Sequence, residues 1–236
     1  MTARLMAAAS RLIVALDAGT LPAALRLAKP LQGLVRYVKI GSVLFTAEGP
    51  RAVQRLQRLG FGVFLDLKFY DIPSTVEKSC RAAARHGVWM LTVHASGEPA
   101  MLEAAVAGAR QEAAARRVTP PLVVGVTVLT SVSSHDPRAV ARQVASLSTR
   151  AARAGLDGVV ASAGEARAVR RCIGPDRRIV CPGIRPAGAA RGDQARVFGP
   201  REAIVLGADF LVVGRPITEA PDPAAAARTL IRDLYA

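Results

Sequence analysis

Asp66, Lys68 and Asp71 lie in the run 65–76 (LDLKFYDIPSTV), which brings one ammonium and two carboxylates into a short stretch. Residues two apart on a strand point to the same face. Asp66 and Lys68 are therefore predicted to share one side of a sheet, with Asp71 following where the strand gives way to a turn. A lysine held beside a carboxylate can stabilise developing negative charge or deliver a proton. The bland alternative is a surface ion pair at a strand end, which contributes little. Of the 32 basic residues only four are lysine (Lys29, Lys39, Lys68 and Lys78), so 28 are arginine. Arginine cannot release a proton near neutral pH, whereas lysine can be tuned to do so. Where a lysine survives among so many arginines, such a role gains weight, and Lys39 and Lys68 are two of the four.

The elements that must position these groups are visible as apolar, β-branched runs at 12–16, 37–41, 62–67, 90–94, 122–127, 158–161, 179–181 and 210–213. Between them lie segments of helical spacing, such as Leu21, Ala24, Leu25 and Ala28 after a Thr20 N-cap, or Val53 and Leu56 before Gly60. Strand and helix alternating eight times predicts an α/β fold, a single (β/α)8 TIM barrel, with a doubly wound open sheet as the alternative. No GxGxxG and no GxxxxGK[ST] occurs, so neither dinucleotide nor P-loop binding is indicated. Residues 182–199 are rich in Gly, Pro and Ala with no apolar period, and are predicted to form a long functional loop after the seventh strand.

In such a barrel the chemistry sits at the C-terminal strand ends. Polar groups fall there in almost every unit: Asp17, Lys39, Asp66 with Lys68, His94, Thr127 and Thr130, Arg185 and Gln194, then Gly214 and Arg215. Taken singly, Asp17 could cap a helix, Thr130 could be a turn hydroxyl and His94 a structural histidine. The last unit reads as a phosphate site, because Gly214 permits close backbone approach, Arg215 offers a planar fork and a short following helix would present N–H groups. Arg185 and Gln194 are placed to close over the same anion.

Composition bounds the rest. The chain has 236 residues, 51% of them apolar but only 4% aromatic, so Ala, Val and Leu must build the core. No run is long and apolar enough to span a membrane, and residues 1–10 are too short and weakly apolar for a secretory signal. A cytoplasmic protein is expected. Cys80, Cys172 and Cys181 show no metal-ligand spacing and are expected to be reduced, buried thiols. The formal charge of +14 raises nucleic-acid binding, but the arginines are scattered among alanines without a clustered run or aromatic interleaving. Neither a nucleic-acid partner nor a membrane is expected.

These residues resemble the orotidine 5′-phosphate decarboxylase family. The resemblance runs through 11–236, leaving 1–10 as an N-terminal extension, and rests on ALD at 15–17, VKIG at 38–41, LDLKFYDIPSTV at 65–76, GVTVLTS at 125–131, PGIRPAG and GDQAR in the seventh loop, and VVGRPIT at 212–218. Tyr70 stands where the family often has His, and Ser74 where it often has Asn. The resemblance implies cofactor-free and metal-free decarboxylation of orotidine 5′-phosphate to UMP and CO2 in pyrimidine biosynthesis. It implies that Lys68 donates the proton to C6, that Asp66 lies against the substrate carboxylate, and that Lys39 and Asp71 complete the charge network. It further implies a homodimer with shared active sites, Asp71, Ile72 and Thr75 reaching into the neighbour's site. Asp17 and Lys39 would hold the ribose, Thr130 would sit near the base, and Arg185, Gln194, Gly214 and Arg215 would take the phosphate.

Two rivals are set against this. Metal-dependent sugar-phosphate decarboxylases and aldolases resemble the chain in strand three but carry an acidic Mg²⁺ ligand on strand two, where this chain has Lys39; a cation beside a cation site is unfavourable. A basic scaffold for RNA or DNA is the other, and its binding would weaken steeply with salt.

Overall fold

Short runs of Val, Ile and Leu form the strands because each strand is buried on both faces, which suits β-branched residues and removes the usual polar alternation. The structure is a computed structural model and describes residues 7–129, 136–186 and 198–234. Eight parallel strands close into a barrel in chain order: β1 (Leu12–Ala15), β2 (Tyr37–Gly41), β3 (Gly62–Phe69), β4 (Met90–His94), β5 (Leu122–Val126), β6 (Gly158–Val160), β7 (Arg178–Cys181) and β8 (Phe210–Val213). Closure is made by β8 against β1, with Val213 opposite Val14. The predicted (β/α)8 barrel is thus the fold. β1, β5 and β6 end one residue before their apolar runs do, a difference within the usual fraying of element ends. β3 runs two residues further than predicted, to Phe69, for a reason that matters to the site.

The helices are α1 (Leu21–Ala28), α2 (Ser42–Glu48), α3 (Pro50–Arg58), α4 (Pro73–Arg85), α5 (Pro99–Arg116), α6 (Pro137–Arg153), α7 (Ala166–Ile173), α8 (Pro200–Val205), α9 (Arg215–Thr218) and α10 (Pro223–Asp233). Proline in the first turn starts most of them, since its missing N–H has no helical partner there anyway. Thr20 caps α1 as predicted, its hydroxyl accepting from the Ala23 N–H. Ala8 and Ala9, just before β1, are buried in the main core, so the described part of 1–10 packs with the barrel.

Alternation along the strands divides the core in two. Ile13, Tyr37, Phe64, Met90, Val124, Val180 and Val212 fill the barrel interior. Their neighbours, such as Val14, Val38, Leu65 and Leu91, face outward against helix residues including Leu44, Leu56, Leu102 and Leu147. At the N-terminal mouth Tyr37 stacks on Trp89 at a centroid distance of 3.5 Å, with Phe210 edge-on to both. A Cβ on Gly62 would come within 2.7 Å of the Tyr37 ring, so glycine makes room for this floor. These rings close the lower end of the barrel, opposite the C-terminal strand ends.

Several arginines serve this scaffold. Arg177 donates to the carbonyls of Leu156, Ile173 and Ala152, and Arg170 pairs with Asp209 at 2.6 Å while that carboxylate accepts from the Ile179 N–H. Others bridge helices, as Arg85 of α4 does to Glu112 of α5. Part of the basic excess is therefore structural. All three cysteines are free; Cys80 and Cys181 are buried as expected, but Cys172 is half-buried, because it sits on the partly solvated side of α7. Among the described residues no helix is long and apolar enough to cross a membrane.

Candidate active site

The upper half of the barrel replaces apolar layers with charge. One step above Tyr37 on the inward face of β2 is Lys39, and one step above Phe64 on β3 is Asp66. Asp66 Oδ2 lies 3.4 Å from Lys39 Nζ and Oδ1 lies 2.9 Å from Lys68 Nζ, while Lys39 also reaches Asp17 Oδ1 at 3.2 Å. The Asp66 and Lys39 side chains are each only 12% exposed, so these pairs are screened far less than surface ones. Burial pushes the Asp66 carboxyl toward protonation, but Lys39, Lys68 and the hydrogen bonds from Lys68 and Thr92 outweigh it and hold the pKa below the ordinary aspartate value. Asp66 is an anion clamped between two ammoniums. Gly41 leaves room beside the network, since a Cβ there would stand 3.2 Å from Asp17 Oδ1 and 3.3 Å from Lys39 Nζ.

Asp66 and Lys68 do share a side, but not by simple alternation. Leu65 pairs with Leu91 and Phe69 with Val93, so β3 uses four residues where β4 uses two. Within this bulge Lys68 adopts φ 52°, one of two non-glycine residues with positive φ among the described residues. A left-handed conformation costs a non-glycine residue roughly 1–2 kcal/mol. It folds the Lys68 side chain back over Asp66 and frees its N–H from the ladder, where the Thr92 hydroxyl accepts it at 2.8 Å. The same hydroxyl donates to Asp66 Oδ1 at 3.0 Å. Sequence reasoning missed Thr92, although a polar residue two before His94 in an otherwise apolar strand was a usable signal.

A cleft of about 300 Å³ opens above this network, lined by Asp17, Lys39, Asp66 and Lys68 and also by Arg185, Gly214 and Arg215. Phe64, Val126, Val160 and Ile184 supply apolar walls that the sequence did not single out. Arg185 is only 8% exposed, and its Nε is buried without a hydrogen-bond partner among the described residues. Burial and the neighbouring Arg215 guanidinium lower its pKa, with Glu219 opposing. Two guanidiniums near one another in a cleft form a site for an anion. At the start of α9 Pro216 has no N–H, and those of Ile217 and Thr218 turn back to the Gly214 carbonyl.

The family model described as "Orotidine 5'-phosphate decarboxylase / HUMPS family" matches residues 10–230. The chain belongs to this family. It is 49% identical to the orotidine 5′-phosphate decarboxylase of Moorella thermoacetica, over 97% of this chain and 94% of that one. It is 47% identical to that of Nitrosococcus oceani, over 94% and 96%. The crystal structure of orotidine 5′-phosphate decarboxylase from Lactobacillus acidophilus superposes with a TM-score of 0.84 at 35% identity, covering 96% of this chain and all of that one.

Against this family pattern, the remaining predicted residues fall into four groups. Asp71, Ile72 and Thr75 lie at the turn into α4 and are exposed, and Asp71 Oδ1 accepts from the Ile72 N–H. They do not join the Asp66 network within one chain. Thr130 and Gln194 lie outside the described residues. His94 stands beside the pair with Tyr70 edge-on at 6.0 Å, and its pKa is lowered by burial and by Lys68, partly offset by Asp66. Thr127, by contrast, braces the sheet, its hydroxyl donating to the Val160 carbonyl at 2.8 Å. Among the described residues no three His, Cys, Asp or Glu side chains are grouped to hold a metal ion.

Proposed function

We propose that this chain removes CO2 from orotidine 5′-phosphate to give UMP, the step in pyrimidine biosynthesis for which its relatives are named, with Lys68 as the proton donor. The observation that carries the reading is the Asp66 carboxylate held at 2.9 Å from Lys68 and 3.4 Å from Lys39, at the mouth of a cleft that also contains Arg185 and Arg215.

The C6–carboxylate bond breaks with its electron pair left on C6, CO2 departs, and a proton moves from the Lys68 ammonium to C6. The resulting amine regains a proton from solvent. Lys68 stabilises the charge as it develops and then quenches it. Asp66, held as an anion, disfavours the substrate carboxylate beside it and fixes Lys68 in place. Asp17 and Lys39 bind the ribose hydroxyls, and Thr130 lies near the base. Enzymes lower barriers by roughly 8–23 kcal/mol, and a decarboxylation with no electron sink belongs near the upper end. Phosphate held by Arg185, Gln194, Gly214 and Arg215 supplies remote binding energy for ordering the ring.

The working unit is a cytoplasmic homodimer. Asp71, Ile72 and Thr75 act in the neighbour's site, which gives a reason for the exposed apolar Tyr70 and Ile72 (62% and 64%) flanking a charged residue at the barrel mouth. Free cysteines suit a reducing compartment. Lys39 at Asp66 argues against the metal-dependent rival, because a divalent cation would have to displace an ammonium. The test is the ultraviolet change of orotidine 5′-phosphate with purified protein in excess chelator. Turnover unaffected by chelator is expected, and turnover lost on chelation and restored by Mg²⁺ would favour the rival.

A further inference from the structure

Thr92 is fully buried on the inward face of β4, between Met90 below and His94 above. A buried hydroxyl needs partners, and a valine of the same shape would need none. Thr92 has two, both in the proposed machinery: it accepts from the Lys68 N–H at 2.8 Å and donates to Asp66 Oδ1 at 3.0 Å. We propose that Thr92 is a positioning residue for the Asp66–Lys68 pair, its single hydroxyl locking the backbone bulge at Lys68 to the carboxylate that Lys68 must face. The inference rests on the reading of Lys68 as proton donor.

The direction of the bonds follows from chemistry. Ionised Asp66 can only accept, so the one hydroxyl proton of Thr92 goes to Oδ1, leaving an oxygen lone pair for the Lys68 N–H. Three neighbouring strands then each supply one donor to Asp66: Lys39 from β2, Lys68 from β3 and Thr92 from β4. The β3–β4 register is irregular between Leu65 and Phe69, so the ladder does not fix the Lys68 backbone there. The hydroxyl takes over that task. Without it, Lys68 has lost the contact that holds its φ at 52°, and Nζ is free to move off the line to C6.

The experiment compares Thr92→Val, Thr92→Ser and Lys68→Ala for kcat, KM, UMP binding and thermal unfolding. Misplacing a reacting group by about 1 Å can cost on the order of 100-fold in rate, so Thr92→Val is expected to lose about 10- to 100-fold in kcat with KM and UMP affinity little changed. Thr92→Ser, which keeps the hydroxyl, is expected to restore most of the rate. A role in stability alone would lower the unfolding temperature and leave kcat of the folded fraction intact, which would overturn the proposal. So would equal losses in the Val and Ser variants, since these would point to the methyl rather than the hydroxyl. If Thr92→Val does not fold, Thr92→Cys, a weak hydrogen-bonder of similar size, takes its place in the comparison. An inactive Lys68→Ala beside a fully active Thr92→Val sinks the Thr92 inference alone. A fully active Lys68→Ala beside a slowed Thr92→Val overturns the proton-donor reading and supports the hold of Thr92 on Asp66.

Discussion

Lys68 Nζ lies 2.9 Å from Asp66 Oδ1, and it does so through a break in the strand that carries both. A regular β3 would pair each residue with one on β4. Here the left-handed Lys68 shortens the partner strand's share and turns the ammonium back over the carboxylate. Strain of this kind persists where surrounding contacts over-determine it; at Lys68 these are the Thr92 hydroxyl on its N–H and Asp66 on its ammonium.

Acid should weaken the fold through Asp66. Its folded pKa lies below the ordinary value of 3.8, so its contribution to stability is fully present above about pH 4 and is lost as pH falls through the lower folded value. His94, with its pKa also lowered, acts in the same sense, because the unfolded chain takes up that proton first as pH falls. Denaturant unfolding from pH 7 to pH 3 should show a steeper loss in the wild type than in Asp66→Asn. Parallel curves would mean that the carboxylate is not held by the two lysines in solution.

Phosphate recognition should be separable from chemistry. Arg215→Ala and Arg185→Ala each remove a charged hydrogen-bonding partner worth about 1.5–3 kcal/mol, so kcat/KM for orotidine 5′-phosphate should fall by about 10- to 100-fold. For orotidine, which lacks the phosphate, the same substitutions should change kcat/KM little. An equal loss on both substrates would place these arginines elsewhere in the reaction.

The sequence made the barrel legible because strand burial on both faces writes itself as apolar runs, and because Asp17, Lys39, Asp66 and Arg215 lie within or just after those runs. It made the inner face of β4 only half legible: His94 stood out as titratable, while Thr92 passed as a β-former. The bulge at Lys68 was not legible at all, since FLDLKFY alternates as a regular strand would and no glycine marks the positive φ. The exposure of Tyr70 and Ile72 was not legible either, since apolar side chains after a strand read as buried.

The proposed sharing of sites makes a mixing experiment decisive for the dimer. A Lys68→Ala chain keeps its Asp71, and an Asp71→Ala chain keeps its Lys68, so a heterodimer of the two contains one complete site. Equal mixing with random exchange should restore activity at about one quarter of the sites of a closed two-fold dimer. No recovery despite demonstrated subunit exchange would mean that each site is built within one chain.

The central claim is that Lys68 protonates C6, and single-turnover decarboxylation by Lys68→Ala tests it most directly, with UMP binding measured on the same preparation. The account predicts that turnover falls to the background rate while UMP still binds through Arg185 and Arg215. Near-normal turnover by Lys68→Ala would contradict it.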